Sequence, residues 1–210
     1  MALAITIKPQ HLCNILNGKK LGEVRKNKAL INAIKKEIAE KNKATIYCIC
    51  SKSGKKLIRS DYGKFGILYE LLTPKRDIII YNSVGVNYEI LNGKVVARFW
   101  CDKVESFERE YSSRYIDDYY GNNGERLSKQ FYKKTCLTED ELFDYIGSGS
   151  GYAIHISKLE VFDKPKDISD LQFAKTYNFG DMHNCRVSLT KAPQNFCYVE
   201  DTLWKDFSNT

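Results

Sequence analysis

The chain has 210 residues, 43% of them hydrophobic and 28% charged, which excludes a wholly disordered segment and leaves enough apolar surface for one ordinary core. No apolar run approaches the ~18 residues of a membrane span, Met1–Lys8 is too short for a signal peptide, and four prolines without a repeat period exclude a solenoid. The net charge of +7 is uneven: residues 1–59 carry 14 Lys/Arg against 3 Asp/Glu, a surplus of 11, and residues 60–210 carry 19 against 23, a deficit of 4. A basic segment on a mildly acidic remainder attracts phosphate and excludes a DNA mimic, although Lys-rich helices also serve solubility. The seven cysteines include no C-x-x-C pair, and several lie in apolar runs. Reduced, buried thiols in a cytoplasmic protein fit that usage best.

Ala2–Lys8 alternates and reads as a strand. Pro9 suits the first turn of a helix whose stripe is Leu12, Ile15 and Leu16 and which Gly18 stops. Lys20–Lys26 returns as a strand, and Asn27 caps a second helix reaching about Asn42. Thr45–Cys50 is a strong strand, 51–55 a turn, and Leu57–Ile58 extended. Residues 61–77 are ambiguous, Asp77–Tyr81 and Tyr88–Leu91 are strands, and Asn92–Gly93 is a hairpin turn. Lys94–Phe107 reads as one long strand. The tyrosine-rich segment at about 110–125 is an excursion, and Thr138–Glu141 is a capping box starting a helix to Ile146. Gly147–Gly151 reads as a flexible hinge, Tyr152–Phe162 as a strand, 163–165 as a turn, and Asn195–Val199 as a late strand. Many strands, few helices and long connections predict a single α+β domain over 1–210, a curved sheet or small barrel with helices on its rim.

Ile5–Pro9, the helix after it and Asn17–Lys26 together resemble the opening of the ASCH domain family. Ile5–Pro9 is similar to its S/T-I-K-P strand, and Asn17–Lys26 to its G-x-K-x-x-E-x-R block. Downstream, Gly93–Ala97, Thr135–Glu139, Gly151–Ser157, 163–165 and Ala192–Val199 resemble a bacterial or phage ASCH-like subgroup in the same order. The resemblance implies a PUA-like curved β-barrel with peripheral helices, and binding of RNA or nucleobases. Some relatives hydrolyse RNA, and a small relative deacylates an acetylated cytidine. That relative uses Lys and a Thr three residues on, where this chain has Lys20 and Glu23, so the Thr nucleophile is missing. Ile154 and Phe196 stand where subgroup members often carry Trp, which reduces the aromatic wall of a pocket.

The residues themselves point the same way. Glu23 and Arg25, two apart on a strand, share one face, with Lys20 at its mouth. Arg25 can hold a phosphate bidentately, Lys20 adds a point charge, and Glu23 accepts from an exocyclic amine. Lys8, Lys26 and Tyr152 extend this set, and Gln194, Asn195 and Phe196 suit a splayed base, with amides on its edge and the ring on its face. The same groups could instead form surface ion pairs, close a turn or fill the core. The principal expectation is RNA or modified-nucleobase binding in a basic cleft, with no cofactor or metal. A second expectation is a metal-independent ribonuclease or nucleoside hydrolase with Lys20, Glu23 and Ser157 as catalytic groups, His155 sharing the face of Ser157. A third is a phage or accessory protein acting through protein–protein contact, motivated by Tyr111–Gly124 and the Asn27–Asn42 helix.

Overall fold

The computed structural model describes residues 1–52, 55–72, 87–110, 118–174, 177–179, 182–185 and 187–201. The expected strand at Asp77–Tyr81 and the Tyr111 and Tyr115 positions lie outside them. The chain divides into two compact units, one of residues 1–17, 45–99 and 159–210, the other of 18–44 and 100–158.

In the first unit, β1 (Ala2–Ile7) is followed by α1 (Pro9–Leu16), which begins on Pro9 and buries Leu12, Ile15 and Leu16. β3 (Ala44–Cys50) pairs parallel to β1, with Leu3 opposite Ile46 and Ile7 opposite Cys50. β14 (Phe196–Val199) runs antiparallel along the other edge of β1, with Ile5 opposite Phe196. With β7 (Lys94–Cys101) and β11 (Lys158–Asp167) they form a five-stranded sheet ordered β11-β7-β3-β1-β14. Its central strands are near-continuous apolar runs, as strands buried on both faces require. Tyr47, Ile49, Val95, Phe162, Leu189 and Val199 pack in one cluster there. A second sheet holds β4 (Lys56–Asp61) between β5 (Ile67–Leu72) and β6 (Asn87–Ile90). β12 (Tyr177–Phe179) and β13 (Met182–Cys185) pair with each other.

The second unit is built on a four-stranded sheet ordered β2-β10-β8-β9: β2 (Gly22–Arg25), β8 (Val104–Glu110), β9 (Asp118–Gly121) and β10 (Ser150–His155). α2 (Lys28–Lys41) is capped by the Asn27 side chain accepting from the Leu30 amide, and ends on Asn42 in the left-handed conformation. α3 (Lys129–Thr135), which the sequence reading did not foresee, is capped by Ser128, and α4 (Glu139–Ile146) starts on the expected capping box. One sheet face carries Val24, Phe107, Tyr119 and Ala153 against Phe131 of α3 and Leu142 and Ile146 of α4.

The expected barrel is not present. Among the described residues every sheet is open, ending on edge strands that do not pair with each other. The cause lies in two strands that were expected to be continuous. Lys94–Phe107 breaks at the exposed Asp102–Lys103 pair, and Tyr152–Phe162 breaks at Ile156–Ser157, so that each supplies its two halves to different sheets. Closure needs long, tilted, continuously paired strands, and these halves are too short to wrap. Asn92–Gly93 does form a turn, with the Lys94 amide donating to the Leu91 carbonyl at 3.1 Å, but β6 and β7 belong to different sheets and make no hairpin.

Residues 163–165 lie within β11 and are not a turn. The described part of the expected excursion is also ordered structure: Tyr119 is buried in β9 and its hydroxyl donates to the Gly147 carbonyl at 2.7 Å. Gly151, expected in a hinge, lies within β10 opposite Phe107, where an added Cβ would lie 2.3 Å from the ring.

Candidate nucleic-acid interface

The ladder of the second unit decides which groups share a face. Residues opposite each other in an antiparallel pair project to the same side. Arg25 faces Tyr152, which faces Ser106, while Glu23 faces Ile154. The opposite side presents Gly22, Val24, Ala153 and His155. The sheet thus has two chemically distinct faces.

On the first face Glu23 gathers two cations. Lys20 Nζ lies 3.1 Å from Oε2, and Arg25 Nη2 lies 2.9 Å from Oε1. Lys20 is 2% exposed and Glu23 3%, whereas the Arg25 side chain keeps 16%. These are not surface ion pairs. Taking such charges out of water costs several kcal/mol each unless they are paired, so Glu23 and Lys20 stabilise one another's burial. Arg25 is the member that reaches solvent. Lys26, at the end of β2, donates to the Tyr145 carbonyl at 3.2 Å, and its ammonium lies 5.4 Å from the Tyr145 ring centre. Burial raises the pKa of the Tyr145 phenol, Arg25 opposes that rise, and Glu23 adds to it. Lys20, Glu23, Arg25, Lys26 and Tyr152 are therefore brought together, with Tyr145 as a neighbour that the sequence reading missed.

The other expected contacts belong to the first unit. Lys8 is exposed at the start of α1, Gln194 and Asn195 are exposed just before β14, and Phe196 is half-buried with its ring edge-on to Tyr198 at 5.9 Å. Ser157 is exposed in the second unit, where its hydroxyl donates to the Trp100 carbonyl at 2.9 Å. Burial in β14 pushes the Cys197 thiol up to about 11, which disfavours a thiolate nucleophile.

His155, named in the sequence reading as the companion of Ser157, has a different partner. Its Nδ1 lies 2.6 Å from Oδ1 of Asp102, and that hydrogen bond holds the carboxyl of Asp102 below its ordinary pKa. In an unbroken Lys94–Phe107 strand Asp102 would be one more ladder residue, but it lies in the break between β7 and β8. The only sequence signal for the pair is the consecutive charge of Asp102–Lys103 interrupting an apolar run.

No family model matches the chain, and no curated protein matches it. Among solved structures the chain is similar to ASCH from Zymomonas mobilis, with 11% identity over 97% of this chain and 91% of that one and a TM-score of 0.47. It is similar also to a mutant of the same Zymomonas mobilis protein, with 12% identity over 98% and 92% and a TM-score of 0.46. At that distance the likeness assigns neither a site nor an activity.

Proposed function

We propose that the chain binds RNA or a modified nucleobase through the Lys20–Glu23–Arg25 cluster. The observation that carries this reading is the arrangement on Glu23, where one buried carboxylate positions two cationic heads through separate oxygens. Arg25, the half-buried member and the most accessible of the three, has Tyr152 beside it across the ladder. A fixed guanidinium next to an aromatic ring suits a phosphate with its adjoining base, because the fork binds phosphate oxygens and a ring stacks on any base. The surplus of 11 positive charges in residues 1–59 adds a long-range attraction, and Lys26 belongs to both features. The blocks resembling the ASCH family imply the same ligand class. Lys8 and the Gln194–Phe196 group are further candidate contacts, on the first unit.

The arrangement favours binding over catalysis at this cluster. A general base needs an oxygen that can take a proton from substrate. Glu23 is 3% exposed and already has a cation on each oxygen, so it acts here as the organiser of Lys20 and Arg25.

The test is fluorescence anisotropy with a labelled single-stranded RNA at several salt concentrations, comparing the native chain with Arg25→Ala and Tyr152→Ala. Arg25→Ala is expected to weaken binding about tenfold and to lower the salt slope by about one phosphate contact. Tyr152→Ala is expected to weaken binding by about 1–3 kcal/mol with the slope unchanged. Unchanged affinity in both variants, with native circular dichroism, would overturn the assignment.

A further inference from the structure

The opposite face of the same sheet carries a second constellation, independent of the Arg25 cluster. His155 lines a small recess of about 60 Å³ together with Lys103, Lys134 and Thr135. A larger cavity of about 480 Å³ shares Lys103, Glu105 and Phe131 with it and continues past Ser106 to Asn122 and Glu125. The two hollows therefore adjoin. The larger exists because β9 pairs with β8 only at 107–110, while β10 pairs with β8 at 104–108. The chain turns away after Gly121, which leaves the 104–106 stretch of β8 without a strand on that side among the described residues.

Chemistry differs between the ends. At the small end the Asp102 carboxylate engages His155 Nδ1, which leaves Nε2 of the imidazole for a ligand. Lys134 forms no ion pair among the described residues, and its backbone carbonyl accepts from the Leu21 amide at 2.8 Å. Lys103 is paired with Glu105. A volume of 60 Å³ holds roughly four or five water-sized groups, the size of a phosphate. At the large end the lining carries the Asn122 and Asn123 amides, the Glu105 and Glu125 carboxylates and the Arg126 guanidinium, whose charge is engaged by Asp118 at 2.9 Å. Asn122 accepts from the Ser106 hydroxyl through Oδ1, and its Nδ2 makes no hydrogen bond among the described residues. Glu125 and Glu105 are acceptors there. Carboxylates would repel a ligand that is anionic throughout, but they accept well from a ring amine, and an asparagine amide complements a base edge. A cavity of 480 Å³ lies within the range of small-ligand sites.

We propose that the two adjoining hollows bind a nucleoside monophosphate with an amino-bearing base, its phosphate against Lys134 and His155 and its base toward Asn122 and Glu125. The phosphate end lies on the sheet face opposite Arg25, the large hollow reaches Ser106 on the Arg25 side, and Arg25 itself lines neither hollow, so the proposal does not rest on the RNA reading.

The experiment titrates the full chain with cytidine 5′-monophosphate by calorimetry and amide NMR, with uridine 5′-monophosphate, cytidine and inorganic phosphate as parallel probes. Saturable binding of cytidine 5′-monophosphate is expected, with the other three probes weaker. Lys134→Ala is expected to weaken it about tenfold and Asn122→Ala several-fold, both residues being exposed and replaceable without unfolding. Arg25→Ala is expected to leave it unchanged. Four results would each overturn the proposal: no saturable binding, phosphate alone binding as tightly as the nucleotide, uridine 5′-monophosphate binding as tightly as cytidine 5′-monophosphate, or equal affinity in Lys134→Ala. Loss of nucleotide binding in Arg25→Ala alone would also overturn it and would instead place the ligand at the first cluster.

Discussion

Replacing Glu23 by glutamine keeps the shape of the side chain and removes a charge that lies at contact distance from both Lys20 and Arg25. At an effective dielectric near 20, each contact of about 3 Å has a Coulomb energy of roughly 5 kcal/mol, most of it offset by desolvation. What the substitution exposes is the asymmetry of that offset. Lys20, 2% exposed, would remain buried beside a neutral amide, whereas Arg25 can turn its head to water. Breaking one side of a buried pair costs about 3–5 kcal/mol. The lower end is expected here, because only Lys20 is trapped. With a urea slope of about 2 kcal/mol/M, the midpoint should fall by about 1.5 M. Trp100 lies in the same unit, so its fluorescence in a Trp204→Phe background follows the transition. The double variant Lys20→Met/Glu23→Leu should recover most of the loss, since an apolar pair of similar volume needs no desolvation. It should still bind RNA poorly, because Arg25 loses the carboxylate that orients it. A loss below about 1 kcal/mol for Glu23→Gln, or native RNA affinity in the double variant, would refute the reasoning that a buried carboxylate organises the site.

Gly151→Ala tests the packing on the other face of the same sheet. The new methyl would lie 2.3 Å from Phe107 Cζ and 3.0 Å from Ile146 Cδ1, and the Phe107 ring is held edge-on by Phe131 at 5.2 Å and Tyr119 at 5.8 Å. Overpacking of this kind costs about 1–3 kcal/mol. In a Phe107→Leu background the same change should cost under half as much, and equal costs by urea denaturation in the two backgrounds would show that the ring is not the obstacle.

The buried thiols supply a pH dependence. Burial pushes Cys101 up to about 11 and Cys50 up to about 12, so both stay protonated in the folded chain where unfolded thiols ionise. Their contribution is intact below the unfolded value near 9 and is lost as pH rises toward 11 and 12. Stability should therefore fall above pH 9 in steps that Cys101→Ser and Cys50→Ser flatten. At pH 8, well below both, iodoacetamide should label the half-buried Cys136 long before either of them, and equal rates would contradict their burial.

Local chemistry was legible wherever a short-range rule governed it. Pro9 at a helix start, Asn27 and Thr138 as caps, and Asn92–Gly93 as a turn are decided by a few neighbouring atoms, and each appears where its residue type requires. The shared face of Glu23 and Arg25 was legible for the same reason, since strand alternation is local. Whether that pair is a surface bridge or a buried cluster was not, because burial of Lys20 depends on what the rest of the unit packs over it. The Gly147–Gly151 run shows the limit clearly. Glycine reads as freedom, yet Gly151 is needed because the Phe107 ring occupies the space of a side chain, a contact 44 residues away in sequence and set by the β8–β10 register.

The expectation of a barrel failed on the same kind of non-local fact, and the failure creates the second site. A strand running unbroken from Lys94 to Phe107 would have kept Asp102 in a ladder with its side chain committed to one sheet face. The break at Asp102–Lys103 frees that carboxylate to meet His155, while the His155 amide donates to the Lys103 carbonyl at 3.0 Å and the Ser157 amide to that of Trp100 at 2.9 Å. Those two backbone bonds fix the imidazole relative to the break. The early end of β9 then leaves the neighbouring stretch of β8 uncovered. An unbroken, closed sheet would have neither the carboxylate–imidazole pair nor the hollow beside it. Joining the two halves should therefore abolish both together: Asp102→Val/Lys103→Thr, which restores strand-forming residues at the break, is expected to eliminate nucleotide binding while leaving the Arg25 cluster competent for RNA. Retained nucleotide binding in that variant would mean that the break is not what shapes the site.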